Sequence, residues 1–136
     1  MRIVLDTNIY ISAFTLRSQR MLTLIDTITA KHTIVLPSYV LDELLDVVRQ
    51  KFPLKIKQTE MFLRELPYEP FETPDDLNEA DFPKIDDPKD MPVLASAILA
   101  DTDVLLSGNG RHFGNLDIRR PEPLTPAQFL EKYGLR

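Results

Sequence analysis

Three acidic side chains lie where hydrophobic segments of the sequence give way to polar ones. Asp6 directly follows the apolar run 3–5, Glu43 lies in an amphipathic segment, and Asp90 precedes a second apolar run. Carboxylates are the ligands that hard divalent cations such as Mg²⁺ prefer, and a pair of such ions about 3.5–4 Å apart can promote phosphodiester hydrolysis. If the fold brings these three side chains together, they are candidates to hold one or two divalent ions.

Each of these acids also has a simpler structural interpretation. Asp6 and Asp90 are suited to cap helices, because aspartate is a favoured N-cap residue and its charge complements the helix dipole. Glu43 lies at the edge of the apolar stripe of its predicted helix, where a surface glutamate is equally typical. The nearby Asp86 and Asp87 are expected to face water in a loop.

Short strands and helices alternate along the chain and would position these acids. Strands are predicted at 2–5, 33–36 and 104–107. Helices are predicted at 9–16, 18–31, 39–50, 54–66, 92–100 and 126–133. This alternation favours an α/β domain with a mainly parallel sheet and helices on both faces. In such folds ligands bind at the carboxyl ends of the strands, and Asp6 comes directly after the first strand.

Composition limits the class of protein and the kind of metal site. The chain has 136 residues, 43% of them hydrophobic, which is the usual size of one domain with a sizeable core. It has no cysteine and only two histidines, so a metal would be held mainly by oxygen ligands. No apolar stretch approaches the length of a membrane span or a signal peptide, and a cytoplasmic location is expected.

The charge of the chain is distributed unevenly. The net charge is −5, whereas a typical nucleic-acid-binding domain is basic. Residues 67–90 contain nine acids and two lysines, and the rest of the chain is therefore slightly positive. Residues 67–90 show no convincing periodicity and are predicted to form a long loop, which in a small domain is typically functional or poorly ordered. Bound cations would in any case reverse the field of an acidic site.

Five segments resemble PIN-domain proteins of the kind that supply the toxin nuclease of VapBC-type toxin–antitoxin pairs. They are LDTN (5–8), LPSYVLDEL (36–44), DPKDMPVLASA (87–97), DVLLSGNGRHF (103–113) and LTPAQFL (124–130). The resemblance implies a single PIN-like domain over residues 1–136, a three-layer α/β/α fold with a mainly parallel central sheet. It also implies a Mg²⁺- or Mn²⁺-dependent ribonuclease, a small antitoxin partner and a homodimer.

The resemblance assigns roles to individual residues. The catalytic, metal-binding acids are Asp6, Glu43 and Asp90. The supporting residues are Asn8, Ser107, Asn109 and His112. Apart from the resemblance, the positive charges of a nuclease of this kind are candidates to guide the RNA backbone, and each is also compatible with an ordinary surface position; they are Arg111, Arg17, Arg20, Lys51 and Lys55. The chain departs from the family pattern because Asn109 and His112 occupy positions where many members have a fourth acid. The loss of this charge should weaken a second metal site most, which favours catalysis by one metal ion or low activity.

Other functions remain open at this point. The missing fourth acid favours a non-catalytic or weakly active binding module, which metal titration would distinguish from a nuclease. A phosphohydrolase with Asp6 as its nucleophile usually has a second aspartate two residues later, where this chain has Asn8. A dinucleotide-binding protein is poorly supported, because no glycine-rich loop follows the first strand.

Overall fold

Five parallel strands form the central sheet in the order β3-β2-β1-β4-β5. The computed structural model describes residues 1–108 and 118–134. The strands are β1 (Arg2–Leu5), β2 (Thr33–Pro37), β3 (Glu69–Phe71), β4 (Val104–Leu106) and β5 (Glu122–Leu124). The predicted α/β class with a parallel sheet is confirmed.

Helices connect the strands and match most of the predicted ones. They are α1 (Thr7–Tyr10), α2 (Gln19–Lys31), α3 (Ser38–Lys51), α4 (Ile56–Glu65), α5 (Met91–Leu99) and α6 (Pro126–Tyr133). A π-helical turn, Ile11–Thr15, extends α1, and Thr125 and Gln128 form a capping box at the start of α6.

The central strands are buried on both of their faces. The side chains of Ile3, Val4 and Leu5 in β1 are all completely inaccessible to water, and strand β4 is equally buried. Successive side chains of a strand point to opposite faces of the sheet, so helices must cover both faces. This explains why these strands appear in the sequence as short continuous apolar runs.

The two edge strands were missed by the sequence prediction. Strand β3 lies within residues 67–90, which were predicted to be a loop, and β5 lies between predicted elements. Each edge strand has three residues with a central proline, Pro70 in β3 and Pro123 in β5. Proline cannot donate a ladder hydrogen bond and is tolerated mainly at sheet edges, so these segments resemble loops in sequence.

Hydroxyl groups attach residues 67–90, the acidic segment, to helices α3 and α5. The Thr73 amide donates to Ser38 Oγ at 2.9 Å, and the Thr73 and Ser96 hydroxyls share a hydrogen bond of 2.9 Å. Serine is a favoured N-cap residue, but Ser38 is the first residue of α3 and Pro37 occupies the cap position. The side chain of Ser38 instead fixes the segment that leads from β3 towards α5.

The strand order reverses its direction at β1. The chain passes from β1 to β2 and β3 on one side, then returns to β4 and β5 on the other side. The carboxyl ends of β1 and β4 meet where the Asp6 amide donates to the carbonyl of Leu106 at 2.8 Å. Open parallel sheets bind ligands at such a reversal point, and Asp6 lies directly at it.

Candidate active site

Asp6 is buried and held at both oxygens of its carboxylate. The Thr7 amide donates to Asp6 Oδ1 at 2.7 Å, which makes Asp6 the N-cap of α1, and the Ser107 hydroxyl donates to Asp6 Oδ2 at 3.2 Å. Only 8% of the residue is exposed. The capping role and a role in the site are therefore compatible, because each oxygen retains a further lone pair.

Glu43 reaches the same place from helix α3. This helix begins at the carboxyl end of β2, and Glu43 lies in its second turn. The Thr7 hydroxyl donates to Glu43 Oε1 at 2.5 Å. Thr7 thus contacts two of the predicted acids, Asp6 through its amide and Glu43 through its hydroxyl.

Asp90 and Asp87 lie together where the acidic segment enters α5. Asp90 is half-buried at the end of a 3₁₀ turn, Pro88–Asp90, that leads directly into α5. Asp87 caps this turn, since its Oδ1 accepts from the Lys89 amide at 3.0 Å. Asp87 was expected to face water, but it is half-buried and lines the same cleft as the three predicted acids.

These groups surround one open cleft of about 380 Å³ at the carboxyl edge of the sheet. Its lining residues are Asp6, Thr7, Asn8, Ile11, Glu43, Val47, Lys51, Phe52, Asp87, Lys89 and Asp90. Four of them are acids and two are lysines. The fold therefore places the three predicted carboxylates, which are far apart in sequence, in one cavity.

The electrostatics of the cleft are those of carboxylates that repel one another. Burial raises the pKa of Asp6, and the nearby charges of Asp90 and Glu43 raise it further, against the lowering effect of the hydrogen bonds to Asp6. Burial also raises the pKa of Tyr39 beside the cleft, and the surrounding carboxylates add to this shift. A negative potential of this kind favours a bound cation.

The donor chemistry fits a hard divalent cation, although the side chains do not form a closed cage. Among residues 1–108 and 118–134, no three His, Cys, Asp or Glu side chains are arranged so that they could hold a metal ion as they stand. Mg²⁺ usually keeps several waters and binds to one or two carboxylates together with substrate phosphates. An open set of oxygen ligands around a cleft is compatible with that mode of binding.

Comparisons with known proteins agree with this arrangement. A family model of the PIN domain matches residues 2–111. The chain belongs to the PIN-domain family. PIN domains are generally nucleases and generally use divalent metal ions. No functionally curated protein matches the sequence significantly.

A solved structure shares the fold of this PIN domain. It belongs to the crystal structure of VapBC2 from Rickettsia felis bound to a DNA fragment from their promoter, with a TM-score of 0.70 and 18% sequence identity. The match covers 92% of this chain and 98% of the other. The predicted three-layer PIN fold is therefore confirmed.

Two of the four predicted supporting residues lie within the described part of the chain. Ser107 is buried and contacts Asp6, whereas Asn8 is exposed at the wall of the cleft. Asn109, Arg111 and His112 lie outside the described residues, so their predicted roles remain predictions.

Within residues 1–108 and 118–134, no helix is long and apolar enough to cross a membrane.

Sequence reasoning missed Asp87 and Lys89 as lining residues of this cleft. The sequence contained one signal for them, because an acid followed by proline at position 88 is typical of an N-cap and the first helical residue. This pattern predicts a turn that starts before Asp90 and would have brought Asp87 close to it. The contact of Thr7 with Glu43 has no signal in the local sequence, because it depends on the packing of α1 against α3.

Proposed function

We propose that this PIN domain is a divalent-metal-dependent RNA endonuclease and the toxin of a VapBC-type toxin–antitoxin pair. The main support is that Asp6, Glu43 and Asp90 line one cleft at the reversal point of the sheet. Membership of a nuclease family and the fold shared with a VapBC2 chain agree with the proposal. A cytoplasmic location, an antitoxin partner and a homodimer belong to the same proposal.

In this proposal Asp6, Glu43 and Asp90 hold Mg²⁺ or Mn²⁺. When bound, such an ion supplies Lewis acidity at a phosphate oxygen and a water of lowered pKa. Thr7 and Ser107 orient the ligand oxygens, because their donors fix both oxygens of Asp6. Outer contacts of this kind typically change metal affinity or activity by about 10–100-fold when they are lost.

The test is cleavage of a mixed pool of structured RNAs by the purified protein with Mn²⁺, with Mg²⁺ and with EDTA. We expect cleavage that EDTA abolishes. The double variant Asp6→Asn/Asp90→Asn removes two of the ligand charges and should reduce cleavage at least about 100-fold, or roughly 2.7 kcal/mol of transition-state stabilisation. Asp103→Asn, at the opposite edge of the sheet, is the matched control and should cleave normally. Equal cleavage by the double variant and the wild type would contradict the proposal.

A non-catalytic PIN module is the second candidate. The observation in its favour is that Asn109 and His112 replace the fourth acid that many family members have. A folded wild-type protein that cleaves no RNA above the double variant with either ion would support this alternative. Asn109→Asp should then restore cleavage if the missing charge is the cause.

A further inference from the structure

The cleft extends well beyond the carboxylates, along one face of helix α3. Glu43, Val47 and Lys51 all line it, and their spacing of four residues places them on the same face of the helix. Eight residues at 1.5 Å each separate Glu43 from Lys51 by roughly 12 Å along the axis. In a bound strand, a group at this distance would contact a different nucleotide from one whose phosphate lay beside Glu43.

The far end of the cleft has a fixed structure. Helix α3 ends at Lys51, where the Phe52 amide still donates to the carbonyl of Val48 at 2.8 Å. Pro53 follows and prevents the helix from continuing. Lys51 is therefore placed at a helix C-terminus, where a positive side chain is favoured by the dipole.

Lys51 and Phe52 present different chemistry to the cleft. Lys51 is exposed and positively charged, and Phe52 is half-buried, packed on the hydrophobic core while it lines the cleft. A cation attracts the phosphates of a nucleic acid, and an aromatic ring offers a surface on which a base can stack. The two side chains thus match the two parts of one nucleotide.

We propose that Lys51 and Phe52 form a subsite for an unpaired nucleotide that flanks the cleavage position. Lys51 binds its phosphate and Phe52 stacks on its base. Because a base inside a duplex cannot stack on a protein side chain, the subsite selects single-stranded RNA or loops. The inference rests on the proposed function, since it assumes that the cleft receives RNA.

The experiment measures the affinity of a fluorescently labelled single-stranded RNA by anisotropy over a series of salt concentrations with Mn²⁺. All proteins have the Asp90→Asn substitution, so that the strand stays intact. Lys51→Gln should reduce the slope of log affinity against log salt by about 0.7, the value for one phosphate contact in a single strand. Lys57→Gln, an exposed lysine of α4 outside the cleft, should leave the slope unchanged.

Phe52→Leu should weaken binding roughly tenfold without changing the salt slope, because stacking is lost and charge is not. Phe52→Trp should bind as the parent does, since it keeps an aromatic surface. Phe62→Leu is the matched control, a half-buried phenylalanine that stacks on Phe14 away from the cleft. Near-ultraviolet circular dichroism checks that each variant is folded. Phe52→Trp with the affinity of Phe52→Leu would overturn the stacking role.

The outcomes separate this inference from the proposed function. The subsite is overturned if the parent binds no RNA, if Lys51→Gln has the same slope as Lys57→Gln, or if Phe52→Leu has the affinity of Phe62→Leu. A duplex of the same sequence that binds as tightly as the single strand also overturns it. Binding that depends on Lys51 and Phe52 in a protein whose wild type cleaves nothing would contradict the nuclease and support the subsite.

Discussion

The carboxylates at the amino-terminal ends of the strands, the amino edge of the sheet, have different partners from those at the carboxyl-terminal ends, the carboxyl edge. At the amino edge Arg2 pairs with Glu69, and Arg120 contacts Asp101 and Asp103 at 3.0 Å each. At the carboxyl edge the hydrogen bonds to Asp6 come from neutral donors, an amide and a hydroxyl. Acids are thus matched with arginines at one edge and gathered with other acids at the other.

This difference is reflected in the pKa values. The Arg2 amide and the Arg120 guanidinium lower the pKa of Asp103, against a smaller opposing effect of burial. Burial and neighbouring carboxylates raise the pKa of Asp6. The amino edge therefore gains stability from its charges. The carboxyl edge loses stability, as is typical of sites that are built to bind a ligand.

Divalent cations should reverse the penalty at the carboxyl edge, and this is the largest effect expected on stability. At a concentration of a hundred times its Kd, a bound ion stabilises a fold by about 2.7 kcal/mol. Mn²⁺ should therefore raise the Tm of the wild type by several degrees, as measured by differential scanning calorimetry. In Asp6→Asn this increase should be much smaller.

The same variant, Asp6→Asn, tests whether the charge of Asp6 destabilises the folded protein when no cation is bound. Because the pKa of Asp6 is raised by folding, its charged form is disfavoured in the folded protein, and a neutral side chain should increase stability at pH 7. Asparagine is as good an N-cap as aspartate, so the capping contact is not lost. A lower Tm for Asp6→Asn than for the wild type in EDTA would contradict our description of this edge.

Thr7 should have an intermediate effect, confined to the carboxyl edge. Thr7→Val removes the hydroxyl that donates to Glu43, and we expect the Mn²⁺ concentration for half-maximal cleavage to rise at least about tenfold. Thr7→Ser keeps the donor and should restore the normal metal dependence. Thr15→Val is the control, because it removes a buried hydroxyl bonded to Thr59 and away from the cleft. An unchanged metal dependence in Thr7→Val would show that this contact does not position Glu43.

The sequence predicted the central part of the fold because burial on both faces leaves a clear pattern. Strands β1, β2 and β4 are continuous apolar runs, and the long helices have regular apolar stripes. Strands β3 and β5 were missed, because three residues with a central proline show neither alternation nor an apolar run. Their pairing is decided by the neighbouring strand and not by their own residues.

The candidate site was predictable where the chemistry follows from one element and not where it depends on packing. Asp6 was identified because a strand ends directly before it, and Glu43 because it lies at the edge of the apolar stripe of its helix. Asp87 was assigned to water, since the turn that Pro88 predicts does not by itself show that residues 67–90 fold back along α3. The hydrogen bonds from Thr73 to Ser38 and Ser96 fix that path, and they join residues at least 23 positions apart.

The smallest effect is expected at the amino edge, from Asp103→Asn. Since folding lowers the pKa of Asp103, its carboxylate contributes stability above the ordinary pKa of 3.8 and loses it as the pH falls through the lowered value. We expect the substitution to reduce the free energy of unfolding by roughly 1 kcal/mol at pH 7. The difference from the wild type should disappear as the pH falls through the lowered pKa of Asp103.

Urea unfolding at a series of pH values measures this difference, and Asp101→Asn is its control. Asp101 contacts the same Arg120, but its side chain is 80% exposed, so water screens the pair. Its backbone has a positive φ of 56°, which asparagine tolerates, and the substitution adds no strain. Equal losses of unfolding free energy in the two variants would show that the charge of Arg120 alone stabilises these two carboxylates. A larger, pH-dependent loss in Asp103→Asn would show that the Arg2 amide is the decisive partner, because only Asp103 accepts its hydrogen bond, at 2.7 Å.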